Sequence, residues 1–264
     1  MDAAPVRRDR MAASVARRGF ARVTDLAREL SVSEVTVRTD LAALESDGRV
    51  TRVHGGAMPR GLVAERESSL EQSRTRLTRA KQAIAAETAS RVHSGESLML
   101  DVGSTALAVA NALVARTDLD EVVVVTNGLA IALALESAIP RFTVVVTGGT
   151  LRSLQHSLVN PLATTLLDDV RVDLAILGAT GIDATAGVTN VNLPEAEVKR
   201  RMVASAARRV LAADSSKVGQ VHLGRVATLD ELDELITDDA ATDAALAPLR
   251  TAGLRITTVT PRRA

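Results

Sequence analysis

From residue 97 onward, short runs of β-branched and aliphatic residues alternate with Ala- and Leu-rich stretches of helical period. The runs are 97–100, 122–125, 142–146, 172–177, 210–213, 235–237 and 255–259, and several are continuously apolar. A strand covered on both faces requires that pattern, and strands separated by helices imply a parallel sheet with helices on both sides. Just upstream, Leu77, Ala80, Ile84, Thr88 and Val92 share one helical face. The segment 59–76, with Pro59, Gly61 and many charged or small residues, keeps no period and reads as a linker.

The first sixty residues follow another rhythm. A helical pattern covers 7–18, Thr24 is placed to cap a helix over 25–30, and Ser33 to cap a third reaching Ser46. Only Ser31-Val32-Ser33 separates the last two, the spacing of a helix-turn-helix. After Gly48, residues 49–54 alternate like a strand, Gly55-Gly56 turns it, and Val23 is placed for a partner strand. The expected architecture is therefore α/β: a winged helix-turn-helix over 1–58, a linker over 59–76, and a mostly parallel sheet domain over 77–264.

In the third helix Val37, Leu41 and Leu44 recur at i, i+4 and i+7 and must face the small core. Val35, Arg38, Thr39, Ala42 and Ser46 then face outward, where such a helix enters the DNA major groove. Arg38 suits guanine edges or phosphate, Thr39 either, and Val35 or Ala42 a thymine methyl. The turn and cap residues Ser31, Ser33 and Thr36 border this face, and the wing adds Arg52 and His54.

In the sheet domain chemistry gathers where strands end. Asp101 closes one strand, Gly103 permits close backbone approach, and Ser104-Thr105 opens a helix whose unpaired N–H groups favour an anion. The next two strands end in Thr126-Asn127-Gly128 and Thr147-Gly148-Gly149-Thr150, and ligands of parallel sheets sit beyond the carboxyl ends of strands. Lysine usage points to the same place: of 32 basic residues only Lys81, Lys199 and Lys217 are not arginine. Lys217, after a strand end in Asp214-Ser215-Ser216-Lys217, can meet a ligand phosphate or hydroxyl. Lys199 reads as a surface i,i+4 partner of Glu195, and Lys81 as a helix-surface residue. Glu195 follows Pro194 at a helix start, where the dipole favours a carboxylate; a sugar-hydroxyl acceptor is the other reading.

Composition narrows the field. With 46% hydrophobic and 24% charged residues the 264-residue chain can bury a core. The absence of cysteine removes disulfides, thiolate metal sites and thiol catalysis, four scattered histidines offer little for a metal, and no cofactor is called for. Residues 1–20 are Arg-rich without the apolar core of a signal peptide, no run is long enough to span a membrane, and a cytoplasmic location is expected. The formal charge of zero conceals a head of +3 over residues 1–60 and a remainder of −3, as a nucleic-acid-binding head would show.

Val32-Ser33, Thr36-Val37-Arg38-Thr39-Asp40-Leu41, Leu44-Glu45, Gly48 and Arg52-Val53-His54-Gly55-Gly56-Ala57 together resemble the signature of the DeoR family of bacterial transcriptional regulators. Downstream, Asp101-Val102-Gly103-Ser104-Thr105, Thr126-Asn127, Gly148-Gly149, Asp173 with Gly178, Glu195 with Lys199, and Asp214-Ser215-Ser216-Lys217 are similar to that family's sensor. Thr39, where the family commonly has a second Arg, and Asn160, where it often has Gly, depart from the pattern. The resemblance implies a repressor of carbohydrate-metabolism genes, released from operator DNA by a phosphorylated sugar and acting as a dimer or tetramer. It also implies a sensor fold shared with ribose-5-phosphate isomerases, which makes a fused isomerase the alternative. Those enzymes carry Asp-Gly-Ala-Asp-Glu and Lys-Gly-Gly-Gly stretches, where this chain has Gly178-Ala179-Thr180-Gly181-Ile182 and Gly187-Val188-Thr189-Asn190. Without those acids and that lysine, a proton shuttle between sugar carbons is not expected.

Overall fold

The computed structural model describes residues 4–18, 21–53, 55–59 and 67–261, and the chain divides into two compact units, Met1–Glu67 and Ser68–Ala264. The first contains α1 (Ala4–Arg18), β1 (Ala21–Arg22), α2 (Val23–Leu30), α3 (Glu34–Ser46), β2 (Val50–Val53) and β3 (Gly56–Pro59). The strands form an antiparallel sheet in the order β1-β3-β2. Met11, Val15, Leu26, Val37, Leu41 and Leu44 meet in its core.

Two local expectations shift by a residue or two. Thr24 does not cap α2, because pairing with β3 holds only Ala21 and Arg22 and the helix begins at once with Val23. Val23 is thus the first helical residue rather than a strand residue, and its N–H donates to the Gly55 carbonyl at 2.9 Å. Ser33 does cap α3, accepting a hydrogen bond from the Thr36 N–H.

The second unit opens with α4 (Leu70–Thr75) and α5 (Thr78–Ala89). Residues 70–75 therefore lie in a helix where a linker was expected. Ser69 and Gln72 close a reciprocal capping box at its start, and Leu70 is buried. Six residues are too few for a hydrophobic period to register.

Among the described residues, seven parallel strands build the main sheet: β4 (Ser97–Leu100), β5 (Val122–Thr126), β6 (Phe142–Val146), β9 (Val172–Leu177), β12 (Ala206–Ala212), β14 (Glu234–Asp238) and β15 (Arg255–Val259). Their order is β15-β14-β12-β9-β4-β5-β6. Each corresponds to one of the seven apolar runs. β12 begins four residues earlier than its run because Arg208 and Arg209, which interrupt apolarity, lie within it. Leu98 and Leu100 point into a core with residues of α5, α6 (Ser104–Ala115) and α7 (Leu129–Leu135). Met99 points into the opposite core, with residues of α8 (Leu162–Asp169), α9 (Leu193–Ser205) and α10 (Asp243–Thr251).

Two antiparallel excursions were not evident in the hydrophobic pattern. One is the hairpin β7 (Thr150–Arg152) and β8 (Ser157–Val159); the other is the sheet β10 (Gly181–Asp183), β11 (Gly187–Asn190) and β13 (Gly224–Ala227). Gly149 allows the first: a Cβ there would come within 2.2 Å of the Val159 carbonyl oxygen.

Candidate DNA-reading face and effector site

On α3 the outward residues form two ridges. Val35 is 70% exposed, and Arg38 and Thr39 are exposed beside it. Arg38 Nη2 donates to Glu34 Oε2 at 2.7 Å, and Thr39 Oγ1 donates to the Val35 carbonyl at 3.0 Å. Ser31 ends α2 in a left-handed conformation and is exposed. The hydroxyls of Ser33 and Thr36 lie 2.9 Å apart at the α3 cap. Ala42 is half-buried and Ser46 exposed. On the wing, the Arg52 N–H donates to Glu45 Oε1 at 2.8 Å and its exposed guanidinium lies 4.0 Å from Glu45 Oε2. His54 lies outside the described residues.

The structural role of Asp40, named above only within the family motif, was not foreseen, nor were Arg152 and Ser157 beside Glu195. Asp40 lies among the inward positions of α3, 2% exposed, and accepts from Arg7 Nε at 2.6 Å and Arg8 Nε at 3.0 Å. Burial opposes its ionisation, but the hydrogen bonds and charges of the two guanidinium groups outweigh burial and hold the carboxyl below the usual aspartate range. The signal was available: an acid three residues after core-facing Val37, with adjacent arginines opening α1.

The second cluster lies where β4, β5, β6, β9 and β12 end. Asp101, fully buried, accepts from the Gly178 N–H at 2.8 Å through Oδ2, which also pairs with Lys199 Nζ. Lys199, 3% exposed, donates as well to the Gly178 carbonyl. Glu195, equally buried, accepts from Arg152 Nη1 at 2.7 Å and Ser157 Oγ at 2.6 Å. The expected surface pair of Glu195 with Lys199 is thus replaced by two separate buried pairings. The i,i+4 spacing does put both on one face of α9, but that face packs against the sheet with Ala196, Val198 and Met202. Each charge takes a partner from another element.

Lys81 is likewise buried rather than on a helix surface. Its ammonium donates to the Ser73 and Arg76 carbonyls at 2.7 and 2.6 Å and lies 4.0 Å from Asp214 Oδ2. Burial pushes its pKa down, against the opposing pull of Asp214. Lys217, half-buried in the 3₁₀ turn Ser215–Lys217, is the lysine whose ammonium has no partner among the described residues. Asp238 anchors that turn, accepting from the Ser215 N–H at 2.7 Å and its hydroxyl at 2.9 Å.

Gly103, at φ 109°, precedes Ser104 and Thr105, which form the first turn of α6. The Thr126 hydroxyl is turned inward and accepts from the Gly128 N–H. Asn127 donates through Nδ2 to the Leu158 carbonyl at 3.0 Å. Asp101 Oδ1 and Asn127 Oδ1 are buried acceptors without a hydrogen-bond partner among the described residues. Gly148 and Gly149 both have positive φ and lead from β6 into β7. A cleft of about 380 Å³ opens beside α6, lined by Arg74, Thr78, Lys81, Gln82, Ser104 and Asn111; of the expected ligand residues it takes in only Ser104.

Two family models match the chain. The DeoR-like helix-turn-helix domain covers residues 7–59 and the DeoR C terminal sensor domain residues 77–239. Similar curated proteins include the HTH-type transcriptional regulator GolR of Listeria innocua, 32% identical over 89% of this chain and 90% of its own. The putative aga operon transcriptional repressor of Escherichia coli O157:H7 is 32% identical over 95% and 92%, and the glycerol-3-phosphate regulon repressor of E. coli K12 29% identical over 85% and 86%. Among solved structures, ribose 5-phosphate isomerase A from Methanocaldococcus jannaschii matches 52% of each chain at 22% identity and a TM-score of 0.38. Among the described residues no helix is long and apolar enough to cross a membrane.

Proposed function

The chain belongs to the DeoR family of DNA-binding transcriptional regulators, and from that premise we propose a repressor that leaves its operator when a phosphorylated sugar or polyol binds beyond the carboxyl ends of the sheet. The observation that carries this reading is the mixture of unmet groups along that edge. Among the described residues Lys217 offers an unpaired ammonium, while Asp101 Oδ1 and Asn127 Oδ1 are buried acceptors in want of donors. A phosphate satisfies the first and hydroxyl groups the other two. Ser104 and Thr105 at the α6 start extend the phosphate side. Gly103 and Gly148 leave room for close backbone approach, Gly149 lets the chain turn into the hairpin against Val159, and Thr126 supports the Asn127 turn from within. Glu195, held by Arg152 and Ser157, shapes the pocket wall in this reading.

On the operator, α3 meets the major groove through Arg38, Thr39 and Val35, with Ser31, Ser33 and Thr36 bordering it and Arg52 and His54 at the backbone. One head of about sixty residues buries too little DNA for strong specificity, so paired heads of a homo-oligomer on repeated half-sites belong to the proposal, as does work in the cytoplasm. The head takes in residues 1–58 and the sensor residues 77–264, with α4 as the relay between them in sequence. The Leu70 N–H donates to the Leu154 carbonyl at 2.9 Å and Gln155 Nε2 to the Ser68 carbonyl at 2.7 Å, while Lys81 holds the far end of α4. Ligand-induced ordering at 152–157 and 214–217 thereby reaches the element that follows the head in sequence, for a coupling of about 1–3 kcal/mol.

Calorimetric titration of the full chain with sn-glycerol 3-phosphate and hexose 6-phosphates, each beside its unphosphorylated form, tests the reading. Phosphorylated forms bind far more tightly; equal affinity for both members of every pair would overturn it.

A further inference from the structure

We propose that the head reads a C·G base pair next to a thymine, through two parallel i,i+4 pairs on α3, Glu34 with Arg38 and Val35 with Thr39. The inference rests on the reading that α3 enters the major groove, and it assigns what α3 recognises there.

The ionic ridge comes first. The Glu34 and Arg38 side chains are 44% and 57% exposed and touch at 2.7 Å. Neither has another partner among the described residues, so the pair is held in solvent, where such contacts are weak and readily rearranged. A carboxylate in the major groove is disfavoured by flanking phosphates and by most base-edge atoms, which are acceptors. It is tolerated where it meets a donor, and cytosine N4 and adenine N6 are the donors available. Arg38 decides between them. Its guanidinium keeps free N–H groups beside the Glu34 contact, and these need adjacent acceptors, which guanine supplies as O6 and N7. A C·G pair presents the donor for Glu34 and the acceptors for Arg38 side by side. A T·A pair sets the thymine O4 acceptor against Glu34 and the adenine N6 donor against Arg38, and breaks the match.

The apolar ridge runs alongside. Val35 is 70% exposed, although it lies on a helix whose inward positions take every other large aliphatic side chain. The Thr39 hydroxyl spends its proton on the Val35 carbonyl, so Thr39 meets the groove chiefly through its methyl group. Together the two side chains form a methyl-bearing strip suited to the C5-methyl of thymine. All four residues fall in the first turn and a half of α3, the part of a recognition helix that reaches base edges.

The test is selection of double-stranded DNA from a randomised library by the full-length protein, with sequencing of the bound fraction. Wild type should enrich half-sites carrying C·G beside T. Glu34→Ala should relax the C·G position about tenfold while leaving neighbouring positions unchanged. Glu34→Gln should move the preference from cytosine toward adenine, because an amide can pair with N6 and N7. Val35→Ala should flatten the thymine position alone. All four side chains are exposed, and a thermal melt of each variant establishes that the head is still folded. An enriched motif without a C·G–T step, or one whose C·G position is unmoved by Glu34→Ala, overturns the proposal while leaving α3 as the reading helix. No enriched motif at all, or wild-type binding by Arg38→Ala, overturns that reading too.

Discussion

Head and sensor use buried charge in opposite ways. In the head the buried carboxylate, Asp40, is satisfied on both sides by Arg7 and Arg8 and serves the packing of α3 on α1, while the groups that would meet DNA stand in solvent. In the sensor two buried carboxylates, Asp101 and Glu195, lie at the candidate site itself, while Glu234, at the opposite end of β14, is satisfied by Arg91 and Thr257. Asp101 is matched by Lys199 on one oxygen, while its other oxygen has no hydrogen-bond partner among the described residues. A surface reader can keep its chemistry outside its core, whereas a ligand pocket must bring polar groups inside and hold them there with partners. The cost of an error therefore differs between the two units.

Lys199→Met should give the largest effect, because it leaves Asp101 buried and without its cation, a loss of about 3–5 kcal/mol. Scanning calorimetry of the full chain should show the sensor transition falling by roughly 10 °C or more while the head transition stays in place. Equal shifts in both would break the contrast between the units. Arg38→Ala should cost about 1–3 kcal/mol of operator affinity, read by fluorescence anisotropy, with neither melting transition altered. Lys217→Ala should lose much of the affinity for a phosphorylated ligand, on the scale of one charged hydrogen bond, about 1.5–3 kcal/mol. Its operator binding without ligand should be unchanged, giving a repressor that no longer releases. Arg52→Ala should weaken binding to all sequences alike and reduce the salt slope by about one; a sequence-dependent loss would make Arg52 a base reader.

The smallest effect concerns acid. Because the folded pKa of Asp40 lies below its unfolded value, its contribution to stability is complete above the unfolded value of about 3.9 and is lost as the pH falls through the folded one. The melting temperature of the head should fall with pH in that acidic window, and Asp40→Asn should flatten that dependence while lowering stability near neutrality. An unchanged acid profile in Asp40→Asn would show that the Arg7 and Arg8 pairing is not what stabilises the carboxylate.

The inner strands of the main sheet were legible because a strand covered on both faces is largely apolar, a signature that survives without tertiary information, whereas the edge strand β15, with Arg255, Thr257 and Thr258, was legible from its β-branched residues. The outward face of α3 was legible for a similar reason: Val37, Leu41 and Leu44 mark one side of the helix, and Val35, Arg38 and Thr39 follow by geometry. The hairpin over 150–159 and the strands at 181–183 and 187–190 were not, since three- and four-residue elements rich in Gly, Thr and Ser carry too little period to register. Glu195 and Lys199 mark the limit most clearly. Their spacing placed them on one face of one helix, as found, yet it could not reveal whether that face met water or the sheet.

Periodicity and strand-end chemistry in the sequence by themselves determined the two-part α/β organisation, the proposed reading helix and the sheet edge at which a ligand is proposed. The tertiary structure decided the pairings: Asp40 with Arg7 and Arg8, Asp101 with Lys199, Glu195 with Arg152 and Ser157, Lys81 with the end of α4. The physical reason is one of range. Hydrophobic period is a property of neighbours a few residues apart, whereas the partner of a buried charge is whichever group the packed elements bring within about 3 Å, and here that group lies 33 residues away for Asp40 and 98 for Asp101.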